Sequence, residues 1–197
     1  MSRCLICGKI RQEHRFRELF LGEEPLCIQC ALRPSIQRFH FQGYPMMTFY
    51  QYADIQHVLL AYKRGDHVLA PIFLSPFRTY LRIRYGGFTI VPVPSHRLHD
   101  QQRGFNAVQL AFSSLGLPTQ VVLQKTKAQR QGGQRGNQRS LIAESLSLRP
   151  GTQLSSRKHY LLVDDIYTTG STLRSCLHLM HTAGAKRIAI LVIANHH

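Results

Sequence analysis

Apolar positions along the 197-residue chain change their rhythm several times, and each rhythm predicts an element. Ile55, Val58, Leu59 and Tyr62 recur at helical spacing and predict an amphipathic helix over 51–63. Val68–Leu74 is apolar but cut by Pro71, which predicts a second helix with Pro71 in its first turn. Phe88–Val93 follows Gly86-Gly87 and reads as a short strand. Phe105, Val108, Phe112 and Leu115 mark a helix ending near Gly116, and Val121–Leu123 another strand. The stretch 125–140 is rich in Gln, Gly and Arg and predicts a mobile loop. Tyr160–Val163 reads as a strand, Leu173, Cys176, Leu177 and Met180 as a helix stopped by Gly184, and Ile188–Ala194 as a fully apolar closing strand. Strands that are continuous apolar runs, alternating with helices, predict an α/β domain with a parallel sheet covered on both faces.

Before residue 43 the pattern is different. Few aliphatic residues fall in a regular period, and four of the chain's five cysteines lie there. The expected organisation is a small module over 1–42 followed by one α/β domain over 43–197. Cys4-x2-Cys7 and Cys27-x2-Cys30 stand 19 residues apart, a spacing suited to tetrahedral zinc. About 40 residues bury too little apolar surface to fold alone, so a structural metal would supply the missing stability. Ordinary reduced cysteines are the simpler account. His14 and His40 are further candidate ligands, although four thiolates already complete the shell. Cys176 falls on the apolar face of its helix and reads as core.

No apolar run approaches the roughly 18 residues of a membrane span; the longest has seven. The first residues carry charges and no apolar segment of a signal peptide, so the expected location is the cytoplasm. Lys plus Arg number 25 against 10 Asp plus Glu, a net charge of +15. That charge favours polyanions: nucleic acid, phosphorylated metabolites or anionic membrane. No acid lies between Asp100 and Glu144, and this interval holds Lys125, Lys127, Arg130, Arg135 and Arg139. They are candidates for a lid over a ligand or for contacts with single-stranded DNA, against the simpler account of a solvated loop.

Residues 160–172 read Tyr-Leu-Leu-Val-Asp-Asp-Ile-Tyr-Thr-Thr-Gly-Ser-Thr. An apolar strand ends in two acids, and a small-residue loop then opens a helix. Backbone N–H groups, the helix's positive end and the hydroxyls of Thr168, Thr169, Ser171 and Thr172 would cradle an anion. Asp164 and Asp165 stand where they could accept hydrogen bonds from a sugar. A different phosphate loop, an acid pair for Mg²⁺ and a plain strand–turn–helix remain alternatives.

The ten residues from Val163 to Thr172 resemble the 5-phosphoribosyl 1-pyrophosphate (PRPP) loop of type I phosphoribosyltransferases. The resemblance implies that Asp164 and Asp165 hold the ribose hydroxyls and are the catalytic acids. It also implies that Ile166, Tyr167, Thr168, Thr169, Gly170, Ser171 and Thr172 bind the 5′-phosphate, with Mg²⁺ accompanying PRPP. Tyr62-Lys63-Arg64-Gly65-Asp66, Val91-Pro92-Val93-Pro94-Ser95-His96 and Arg103-Gly104-Phe105-Asn106 follow the order of the ComF family, which also carries an N-terminal four-cysteine module. Nearly the whole chain is covered. This implies a late competence protein for uptake of transforming DNA, working with other DNA-uptake proteins. Ser95, His96, Arg97 and Arg103 would then form the pyrophosphate loop. Lys63 already has a complete local account as a cation at a helix C-terminus beside the capping Gly65; the resemblance adds a ligand contact. The chain departs from the family in the lid: Thr126, Gln129 and Arg139 fit its pattern, but Gly132-Gly133 replace an apolar residue. Three functions remain open: a DNA-handling factor, an active phosphoribosyltransferase with an unknown acceptor, and a PRPP-sensing regulator.

Overall fold

A computed structural model describes residues 3–10, 26, 27, 30, 32–94, 105–127 and 144–196. Its centre is a pair of nine-residue strands, β6 (His159–Tyr167) and β7 (Arg187–Asn195), whose apolar runs bury both faces. Strand β3 (Phe88–Pro92) pairs parallel to β6, and β2 (Tyr44–Gln51) pairs parallel to β7. Strand β1 (Gln37–Phe41) adds an antiparallel edge, giving the order β1-β2-β7-β6-β3. The sheet is therefore mostly, not wholly, parallel. The β1–β2 hairpin turns through Gln42 and Gly43 at φ 52° and 82°, the left-handed pair that matches strand twist.

Strand alternation divides the core in two. Leu161, Val163, Ala189, Leu191 and Ile193 face α1 (Tyr52–Lys63), α2 (Arg78–Tyr85) and α3 (Ala107–Ser113). Tyr160, Leu162, Ile188, Ile190 and Val192 face α4 (Ser171–Thr182). Each fully buried aliphatic side chain contributes about 1.5–3 kcal/mol, so these runs dominate the fold's stability.

The helices over 52–63, 107–113 and 171–182 and the strands over 88–92, 159–167 and 187–195 agree with the sequence reading. Four features differ. Residues 37–41, expected in the N-terminal module, belong to the sheet because Phe39 and Phe41 alternate onto Tyr167. His67–Phe73 is a 3-10 helix with Pro71 inside it; in an α-helix interior the proline ring would clash with the carbonyl four residues back. The strand expected at 121–123 begins at Leu123 and leaves the main sheet. There β4 (Leu123–Lys127) and β5 (Glu144–Leu148) form a separate antiparallel ribbon. Residues 125–127 of the expected loop are thus strand, and the rest of that loop lies outside the described residues.

Candidate functional site

The cysteine cluster comes first in the chain. The four Sγ atoms of Cys4, Cys7, Cys27 and Cys30 lie within 4.8 Å of one another, with Cys7 and Cys27 at 3.6 Å. Tetrahedral zinc with bonds of about 2.3 Å sets its sulfurs ~3.8 Å apart, so the donor set fits a metal ion such as zinc. The thiols do not behave alike. Burial pushes Cys4 up, but hydrogen bonds from the backbones of Cys7, Cys27 and Ile6 outweigh it and bring it down to about 6. Burial, reinforced by the neighbouring sulfurs, pushes Cys30 up to about 12. Four thiols packed this tightly need a cation before all can ionise. Cys4 and Leu26 are buried in the same core cluster as α1 and β2, which ties the module to the sheet. His40 is exposed on β1 and outside the cluster, and His14 lies outside the described residues. Cys176 is buried on α4, where burial and then Asp164 push its thiol up to about 12.

The second site sits at the C-terminal end of β6. Asp164 is buried at 9% exposure, and its Oδ1 accepts the Asp165 N–H at 2.8 Å. Burial pushes the Asp164 carboxyl up and the Asp165 charge adds to it. The Asp165 N–H, Lys63 and Lys125 offset only part, leaving it at about 8. Asp165 is more accessible, and its Oδ2 pairs with Lys63 Nζ at 2.6 Å. The adjacent acids therefore occupy different environments: one buried and poised between protonation states, the other bound to an ammonium.

Thr168 and Thr169 follow at the surface, and Gly170 then turns left-handed at φ 72°. A Cβ on Gly170 would lie 2.6 Å from Phe41 Cε2 and 2.9 Å from Tyr167 Cε2. Only glycine lets the loop rest on these rings. Tyr167 packs against Phe39 and Phe41 and supports the loop from below. Helix α4 starts at Ser171, and its first turn closes with Arg174 N–H on Gly170 O at 2.9 Å. The N–H groups of Ser171, Thr172 and Leu173 precede that bond and form the helix's donor end. Thr169 Oγ1 lies 3.3 Å from Ser171 Oγ, within a cluster of exposed hydroxyls. Strand end, acids, left-handed turn and helix start thus converge at the carboxyl edge of the sheet, where such folds place their ligands.

Of the other candidate residues, Lys125 lies on β4 close enough to Asp164 to lower its pKa. Lys127 is on the same strand. Ser95, His96, Arg97, Arg103, Arg130, Arg135 and Arg139 lie outside the described residues. Lys63 reaches the site through its contact with Asp165, which its helix-end position hides in the sequence.

Two curated relatives are similar to this chain. Competence protein ComFC of Bacillus subtilis (strain 168) is 26% identical over 86% of this chain and 68% of its own length. Competence protein ComFC of Streptococcus pneumoniae is 28% identical over 63% of this chain, which covers only 55% of that relative. Among solved structures, the adenine phosphoribosyltransferase of Giardia lamblia superposes with a TM-score of 0.44 at 21% identity, over 81% of each chain. That of Saccharomyces cerevisiae gives 0.44 at 13%, over 81% of this chain and 84% of its own. Superpositions this loose say nothing about chemistry. The model of the phosphoribosyl transferase domain matches residues 84–197, a stretch that includes the acid pair and the whole loop after it. More than half of the chain is matched, and the chain belongs to the phosphoribosyl transferase domain family.

Proposed function

We propose that residues 164–172 bind the ribose 5-phosphate portion of PRPP and that the protein serves the uptake of transforming DNA. The observation that carries the first part is the pair of acids and the helix start on either side of left-handed Gly170, where the Ser171 N–H makes only a long contact of 3.5 Å with Thr169 Oγ1. Phosphate would take the N–H groups of 171–173 and the hydroxyls around them. Ribose hydroxyls would donate to the carboxylates, Asp165 being the more accessible. The competence role is supported by the names of the two relatives. A role among other DNA-uptake proteins in the cytoplasm, with zinc in the cysteine cluster, belongs to the same reading.

If the pocket transfers phosphoribosyl, the Asp165 carboxylate, joined by Asp164 where that acid is ionised, favours positive charge developing on the ribosyl carbon. Mg²⁺ bound with PRPP supplies charge against the departing pyrophosphate. Titration calorimetry with ribose 5-phosphate, and with PRPP and Mg²⁺, tests the pocket. Asp165→Ala should weaken binding about tenfold or more, the weight of one hydrogen bond to a charged group, and the double alanine variant further. Unchanged affinity in the double variant overturns the assignment. Pyrophosphate release, with and without bases or DNA, separates a transferase from a binder.

Single-stranded DNA binding is a second reading, favoured by α2. Arg78, Arg82 and Arg84 are exposed there beside Tyr80 and Ile83, and the stretch 67–99 holds no acid. Arg38 joins them, donating to the Tyr80 hydroxyl at 3.3 Å. Each phosphate neutralised should add about −0.7 to the slope of log K against log salt. Changing Arg78, Arg82 and Arg84, or Arg130, Arg135 and Arg139, to Gln should flatten that slope by up to about 2. No binding near 0.15 M salt, where exposed charges are screened beyond about 8 Å, ends this reading.

A further inference from the structure

A lysine in the last turn of a helix needs no partner beyond the helix's negative end, and it ordinarily extends into water. Lys63 does otherwise. Its side chain is 24% exposed, and its Nζ meets Asp165 Oδ2 at 2.6 Å, joining α1 to the end of β6. The end of α1 is itself anchored. The Tyr62 hydroxyl donates to Ala107 O at 2.6 Å, and the Tyr62 and His67 rings lie 5.8 and 4.2 Å from Phe105. Asn106, between those contacts, caps α3 by accepting the Gln109 N–H at 2.8 Å. Tyr62, next to Lys63 in the chain, thus meets Phe105 and Ala107 at the start of α3.

We propose that Lys63 is a positioning residue for the sugar side of this site: it fixes the Asp165 carboxylate through Oδ2, presenting Oδ1 to a ribose hydroxyl. The proposal rests on the ribose 5-phosphate reading above and deepens it. A carboxylate has two acceptor oxygens, and an ammonium on one orients the other without filling it. The anchored α1 end spares the ligand the cost of ordering that pair. Lys63 then acts on sugar recognition and leaves the phosphate cradle of 168–172, built on other elements, untouched. The device discriminates a ribose phosphate from bare phosphate.

The test is titration calorimetry on the full chain with two probes, ribose 5-phosphate and inorganic phosphate. Lys63→Met should weaken ribose 5-phosphate about tenfold or more, as losing one oriented charged hydrogen bond does. Its affinity for inorganic phosphate should stay within about twofold, since the cradle's donors are unchanged. In an Asp165→Asn background, Lys63→Met should cause no further loss, a coupling that a merely structural lysine would not show. Lys63→Gln takes its place in the same measurements if the methionine variant does not fold. Equal losses for both probes, additive losses in the Asp165→Asn background, or unaltered ribose 5-phosphate binding each overturn the proposal. A wild-type chain that ignores ribose 5-phosphate overturns the site reading and this proposal together. Normal wild-type binding with an indifferent Lys63 overturns this proposal alone.

Discussion

Around the cysteine cluster, the described chain holds little regular structure beyond an isolated bridge between Arg3 and Ile10. The acid-pair loop, by contrast, hangs between a nine-residue strand and a twelve-residue helix. Both regions gather like charges that repel. The cysteines are brought together by short turns, and a bound ion would supply the energy that holds them. The acids and the phosphate loop are held by the sheet whether or not a ligand is present. One region would gain stability from a bound ion. The other carries a buried carboxyl and a left-handed turn, both of which cost stability, within a framework that stands without a ligand.

The largest effect should come from removing metal from the first region. Structural zinc sites are worth about 10–16 kcal/mol in free peptides, so the module should not stay ordered without one. Purified protein should carry about one zinc per chain by elemental analysis. Cys27→Ser should abolish that zinc and expose the module to protease while 37–196 stays folded. The melting temperature should still fall, because Cys4 and Leu26 belong to the shared core. A resistant module free of metal would erase the contrast between the regions.

The next effect is steric and belongs to the loop. Gly170→Ala places a methyl 2.6 and 2.7 Å from the Phe41 ring and forces alanine to φ 72°. Left-handed strain and overpacking together should cost about 2–4 kcal/mol, read as a lower urea midpoint. An unchanged midpoint would mean that the aromatic bed under the loop is soft.

The smallest effect has the opposite sign. Burial and then the Asp165 charge push the Asp164 carboxyl up to about 8, from the 3.8 of an unperturbed aspartate. Its contribution is whole below about pH 4 and is lost as pH rises toward 8, since the folded chain binds the extra proton in that window. Asp164→Asn removes the loss. Its melting temperature should match the wild type near pH 4 and exceed it increasingly up to pH 8. The gain should be on the order of 1 kcal/mol, below the full value of the shift because the amide brings donors needing partners. Ribose 5-phosphate binding should weaken in the same variant. A melting difference that stays flat with pH would remove the stability cost assigned to this acid.

What the sequence disclosed follows burial. β6 and β7 are buried on both faces and announce themselves as apolar runs; α1 and α4 carry an apolar stripe at helical spacing. β2 is equally buried, but Tyr44-Pro45-Met46-Met47-Thr48 contains proline and two unbranched methionines and resembles no strand template. α2 spans eight residues and buries only Leu81 and Tyr85, too little for a period to stand out. The ribbon of β4 and β5 is largely polar and gains its identity by pairing across the chain. At the site, the local motif revealed both acids and the turn. The role of Lys63 stayed hidden because its partner is a hundred residues away and its helix-end position explained it already.

The place of β7 between β2 and β6 bears on how the chain is made. Met46 can find its sheet neighbour Ile190 only after the intervening residues have been translated. At about 5–20 residues per second, that interval is on the order of ten seconds or more on the ribosome. Until then the edge of β2 that β7 covers in the folded sheet has no partner strand. A cell making this protein therefore handles a nascent chain whose first sheet segment is complete well before its neighbour, and an unpaired strand edge is the kind of surface that chaperones engage.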